Sequence, residues 1–129
     1  MGRILIVDDE ESDRLFERSI LEDEGHQLYF AQDGEVALKV YRDHDVELVV
    51  TDLHMPRLDG FRLIEELKEL DPDVVVVAVS GIAAAKTGRA QELGARETLY
   101  KPVDPELLVK AVREGLEARY QDPWDGRKL

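Results

Sequence analysis

The chain has 129 residues, the size of one domain, and at that length roughly two-thirds of the unfolded surface can be buried without disulfide or metal staples. It is 43% hydrophobic and 36% charged, which excludes a disordered polymer, and 17 basic against 29 acidic residues leave a net charge of −12. A field of that sign repels phosphate backbones and argues against direct nucleic-acid binding. The absence of cysteine excludes disulfides, thiolate metal sites and Cys nucleophiles together, and fits a reducing compartment.

No stretch reaches the roughly 20 apolar residues needed to cross a bilayer, so no membrane insertion is expected. The opening residues turn acidic at Asp8 without a signal-peptide pattern, and Ile6 stands where a myristoylation motif needs Ser or Thr. A cytoplasmic protein is expected.

In chain order, Ile4–Val7 is a first short apolar run. Phe16 and Ile20, four apart among the charges Asp13, Arg14, Glu17 and Arg18, predict an amphipathic helix with Gly25 as its C-cap. Leu28–Ala31 is a second strand, and Asp33 can cap a helix carrying Val36, Ala37 and Val40. After the third strand, Leu48–Val50, a helix follows through Leu58, Phe61, Ile64 and Leu67 and stops before Pro72. Val74–Val79 is apolar without period-two alternation, as in a parallel strand covered on both faces, and is expected to be the deepest.

A fourth helix is predicted over Ala83–Leu93 and ended by Gly94. Thr87-Gly88 in its middle costs about 1 kcal/mol relative to Ala, so this segment should be short or mobile. Thr98–Tyr100 is the last strand, and Asp104-Pro105 starts a fifth helix through Leu108, Ala111 and Val112. Beyond Arg119 the pattern fades, giving a domain over 1–119 and a polar tail over 120–129 in which Trp124 serves as an anchor. Five alternations of strand and helix imply an α/β fold, a doubly wound parallel sheet with right-handed crossovers.

Ligands of such sheets sit outside the carboxyl ends of the strands. Strand one delivers Asp8-Asp9-Glu10 there, strand three Thr51-Asp52, strand four Ser80-Gly81 and strand five Lys101-Pro102. Asp8, Asp9 and Asp52 carry three negative charges that a divalent metal and Lys101 would cancel. Hard oxygen donors favour Mg²⁺ over Zn²⁺. A water position on the ion is what a phosphoryl oxygen can replace.

With Ile6-Val7-Asp8-Asp9-Glu10, the run Thr51–Gly60, Val79-Ser80-Gly81, Gly94-Ala95 and Lys101-Pro102 in this order, the sequence resembles the response-regulator receiver (CheY-like) family over about residues 3–118. The resemblance implies a five-stranded, flavodoxin-like sheet of order 2-1-3-4-5 with five helices, an order taken from that family. It implies that Asp52 is the phosphoacceptor and that Mg²⁺ is held by Asp8, Asp9, Asp52 and the His54 backbone carbonyl. Lys101 would then contact the phosphoryl oxygens, and Ser80 would bond them once the aspartyl phosphate forms. The implied donor is a sensor histidine kinase or a histidine phosphotransfer domain, and the phosphorylated surface would be read by a downstream protein. Such a switch is not an enzyme in the ordinary sense, since it catalyses only its own phosphoryl transfer and dephosphorylation.

One position departs from the family pattern. An aromatic residue is usual three places before the lysine, and Thr98 stands there. Tyr100 shares its strand face, so the switch set is expected to be Ser80, Thr98 and Tyr100. The His54 ring is expected to border the site, and His26 and His44 to be exposed in helix-to-strand connections. The chain leaves no room for an output domain, which points to a single-domain regulator, with a piece of a longer regulator as the alternative. A phosphorylation-independent interaction module is the second functional reading. An FMN-binding flavodoxin is disfavoured because Asp8-Asp9-Glu10-Glu11 would repel its phosphate, and an aspartate-nucleophile phosphatase because its Asp-x-Asp signature is missing.

Overall fold

The computed structural model describes residues 2–55, 58–81 and 88–120. Alternating apolar and amphipathic segments fold into β1 (Arg3–Val7), α1 (Glu11–Glu22), β2 (Gln27–Ala31), α2 (Gly34–Asp43), β3 (Leu48–Asp52) and α3 (Gly60–Leu70), followed by β4 (Val75–Ser80), α4 (Arg89–Leu93), β5 (Glu97–Tyr100) and α5 (Pro105–Tyr120). All strand pairs are parallel and the sheet order is β2-β1-β3-β4-β5. The expected fold class and order are therefore observed.

The apolar runs lack alternation because both sheet faces are covered. On one face Leu5, Val7, Val49 and Ala78 pack with Ala37 and Tyr41 of α2, Leu63, Ile64 and Leu67 of α3, and Ala90 of α4. On the other, Ile4, Ile6, Val50, Val77 and Val79 pack with Leu21 of α1 and with Leu108, Ala111 and Val112 of α5. β3 is buried as completely as β4, because it occupies the centre of the sheet.

Local chemistry sets the helix ends. Asp33 Oδ1 accepts from Val36 N at 2.9 Å, as expected of a cap, and Asp59 Oδ1 does the same for Arg62 N. Asp104 Oδ1 accepts from Glu106 N at 2.9 Å at the start of α5. α1 ends at Asp23 rather than at Gly25, which follows two residues later in the left-handed region at φ 83° and donates to Glu22 O. Gly94, at φ 120°, ends α4.

Other expectations need correction. Val36 is exposed and Val40 only partly buried, while Tyr41 supplies the buried aromatic contact of α2. Gly88 caps the N-terminus of the five-residue α4 at φ 72°. The earlier part of the expected fourth helix, together with Pro56, Arg57, Thr87 and Trp124, lies outside the described residues. His26 is half-buried and its Nδ1 accepts from Gly2 N at 3.0 Å, whereas His44 is exposed and stacks on Tyr29 at 4.7 Å.

Candidate functional site

The sheet registers of β1 with β3 and of β3 with β4 bring the carboxyl ends of three neighbouring strands to one rim. Asp8 follows β1 and is 1% exposed, Asp52 ends β3 and is 6% exposed, and Ser80 ends β4 fully buried. Asp9 is exposed beside them, and one carboxylate oxygen from each of Asp8, Asp9 and Asp52 lies within 4.8 Å of the others. From the turn after β5, Lys101 reaches across: its Nζ donates to Asp8 Oδ2 at 3.0 Å and to Asp52 Oδ2 at 3.2 Å. The Lys101 amide donates to Ser80 O at 2.8 Å, and the bond to Pro102 is cis.

Backbone amides fix the carboxylates. Asp8 Oδ1 accepts from Glu10 N at 3.0 Å, Asp52 Oδ1 accepts from His54 N at 3.2 Å, and Arg14 donates to the Asp8 carbonyl. Burial raises the Asp8 pKa and the Asp52 charge adds to that, while the Glu10 amide and Lys101 pull it down. For Lys101, burial alone would lower the pKa, but hydrogen bonds to Asp13 and Asp8 more than reverse this and hold the ammonium charged. The donor set fits a hard divalent cation: three carboxylates crowd together, and a +2 charge would relieve the cost of keeping Asp8 ionised.

The residues expected to form the switch set lie on β4 and β5. Ser80 pairs with Tyr100 and Ala78 with Thr98, so Ser80, Thr98 and Tyr100 share one sheet face, opposite to that of Leu99. The hydroxyls of Ser80 and Thr98 are buried without a hydrogen-bond partner among the described residues. Tyr100 is 49% exposed, and the His54 side chain is exposed beside the site.

Two acidic residues of α1, expected only among the charges of an amphipathic helix, turn toward the site. Asp13 Oδ2 accepts from Lys101 Nζ at 2.9 Å. Glu17, one turn on, is 2% exposed, and its pKa is raised to about 8, chiefly by burial and then by the charge of Asp8. Their i, i+4 spacing was visible as a shared helix face, but the sequence did not say which face turned toward the lysine.

A doubly wound α/β domain with three clustered carboxylates and a lysine at the carboxyl rim defines the class. A family model described as the response regulator receiver domain matches residues 4–113, and the chain belongs to that family. It is 39% identical over 116 residues to the "Probable transcriptional regulator ycf27" of Porphyridium aerugineum, covering 88% of this chain and 48% of that protein. It is 33% identical over 115 residues to the "Protein PilH" of Pseudomonas aeruginosa, covering 87% of this chain and 95% of PilH. The crystal structure of a CheY-like response regulator receiver domain protein from Methanospirillum hungatei superposes with a TM-score of 0.88 at 28% identity, covering 95% of this chain and 98% of that one. The chain spans about half the length of the ycf27 relative. No helix among the described residues is long and apolar enough to cross a membrane.

Proposed function

We propose that this chain is a phosphorylation switch of two-component signalling, with residues 1–119 as the receiver unit and 120–129 as a tail, acting in the cytoplasm. The observation that carries this reading is the Lys101 ammonium bonded to both Asp8 and Asp52, with Asp9 alongside. That arrangement can neutralise a phosphoryl group in transfer and expose a carboxylate nucleophile to it.

Asp8, Asp9 and Asp52, with the His54 carbonyl, would hold Mg²⁺, which when bound supplies charge neutralisation to the phosphoryl oxygens. An Asp52 carboxylate oxygen attacks phosphorus in line. The new O–P bond forms as the donor's bond to phosphorus breaks, and the leaving group departs with the electron pair. Lys101 turns its ammonium toward the phosphoryl oxygens, and Ser80, whose buried hydroxyl has no partner among the described residues, donates to one of them. The donor would be the phosphohistidine of a sensor kinase or of a phosphotransfer domain. No other substrate is turned over, so the chain catalyses only its own phosphorylation and dephosphorylation.

Movement of Ser80 would be felt on the sheet face it shares with Thr98 and Tyr100, and Tyr100 would present the change to a downstream protein. The experiment is labelling by acetyl phosphate with Mg²⁺, followed by mass spectrometry. Wild type gains one acid-stable, base-labile phosphoryl group, and Asp52→Asn gains none. Undiminished labelling of Asp52→Asn overturns the assignment.

Thr98, in the place of the usual aromatic, favours a second reading, a receiver-like module that binds its partner without phosphorylation. Under that reading Asp52→Asn leaves partner binding unchanged, and phosphoryl donors do not alter it in wild type.

A further inference from the structure

Lys101 has three ammonium protons and three carboxylate acceptors. Two belong to the strand-end group, Asp8 Oδ2 at 3.0 Å and Asp52 Oδ2 at 3.2 Å. The third, Asp13 Oδ2 at 2.9 Å, is the shortest contact and comes from α1. Asp13 is not part of the group whose oxygens gather within 4.8 Å, so a cation bound there by Asp8, Asp9 and Asp52 leaves the Asp13 carboxylate with Lys101. Asp13 also lines a pocket of about 230 Å³ with Phe16, Glu17, Lys101, Pro102 and Val103, so it stands at the open side of the lysine.

Resting on the phosphoacceptor reading of this same site, we propose that Asp13 is a positioning residue that sets the site's charge and anchors Lys101. It makes the site bind Mg²⁺ more tightly and accept an anionic phosphoryl donor more slowly. One extra negative charge, held on the same lysine as Asp8 and Asp52, would add attraction for a +2 ion at that group. The same charge opposes the approach of a phosphoryl dianion. It also competes for the ammonium proton that the phosphoryl oxygen requires, because a charge-assisted N–H···O bond of 2.9 Å must be given up or shared when Lys101 turns. The two effects have opposite signs and a single cause, which separates them from general damage to the fold.

The test compares wild type with Asp13→Asn, an isostere that keeps a hydrogen-bond acceptor and removes the charge. Mg²⁺ affinity is read by calorimetry or amide NMR shifts without a phosphoryl donor. Labelling by acetyl phosphate, in which the O–P bond to Asp52 forms as acetate leaves with the electron pair, is read at saturating Mg²⁺. In Asp13→Asn the Mg²⁺ dissociation constant should rise roughly five-fold, with a labelling rate at least roughly doubled, both shrinking at high salt. Asp13→Glu, which keeps the charge, should restore Mg²⁺ affinity toward wild type. Unchanged Mg²⁺ affinity, or a labelling rate that does not rise at saturating Mg²⁺, overturns the proposal. Failure of the underlying reading is seen separately, as wild type that takes no label, and the Mg²⁺ titration then still judges the role of Asp13.

Discussion

Gly60 lies so close to Asp52 that a Cβ placed on it would stand 2.2 Å from the Asp52 carbonyl oxygen and 2.6 Å from the Leu53 Cα. The glycine amide meanwhile donates to Leu53 O at 3.0 Å. α3 thus starts against the backbone that presents the candidate nucleophile, and the requirement is for space.

Gly60→Ala must push α3 or the end of β3 outward, since the obstructing atoms are backbone. Overpacking of this kind costs about 1–3 kcal/mol, so urea midpoints should fall accordingly. The Asp52 and His54 amide resonances should shift with it. A variant as stable as wild type with unmoved resonances would show that the contact relaxes freely.

Glu17 predicts an unusual pH dependence. Its folded pKa is raised to about 8 from an ordinary 4.5, so between those values the folded chain holds a proton that the unfolded chain has lost. Its contribution to stability therefore falls as pH rises from about 4.5 to about 8, where the loss is complete. In EDTA, Glu17→Gln should match wild type near the lower limit and exceed it above the upper one. Parallel stability–pH curves for the two proteins would show that Glu17 is ionised throughout.

Mg²⁺ should raise the melting temperature of wild type, because a ligand that binds only the folded state stabilises it by mass action. Asp8→Ala and Asp9→Ala should each weaken the shift. Equal shifts in all three proteins, read by scanning calorimetry, would place the cation elsewhere.

At the opposite end of the sheet, the Tyr41 hydroxyl donates to Asp71 Oδ2 at 2.6 Å, and Arg119 pairs with the same oxygen at 3.4 Å. Asp71 has a lowered pKa: partial burial opposes ionisation, but the Tyr41 hydroxyl, the Asp73 amide and Arg119 outweigh it. Its contribution to stability is present above the unfolded carboxylate range and is lost as pH falls through the folded value. Tyr41→Phe should cost about 1 kcal/mol at neutral pH and move the Asp71 titration upward by NMR. An unmoved titration would show that the Asp73 amide and Arg119 set it without Tyr41.

Tyr100 supplies the last prediction. On addition of a phosphoryl mimic with Mg²⁺, its ring resonances should move, and Tyr100→Ala should weaken partner binding. Unchanged ring resonances would mean that the signal leaves through another face.

The sequence by itself determined the strand and helix alternation, because runs such as Val74–Val79 can be satisfied only by burial on both faces. It also determined the strand-end residues Asp8, Asp52, Ser80 and Lys101, since a strand's end in the chain is its end in the sheet. Asp33 and Asp104 were legible as caps because a cap bonds within a few residues of itself.

Only the tertiary structure decided what depends on contacts distant in sequence. Lys101 and Asp13 are 88 residues apart, and no local pattern tells a helical carboxylate that bonds a distant lysine from one that faces water. Glu17 was likewise expected only among the charges of an amphipathic helix, yet the packing of α1 buries it. The space that admits no side chain at Gly60 likewise exists only once α3 docks against the end of β3. Period and capping act over a few residues, whereas burial and charge pairing are properties of the assembled sheet and helices.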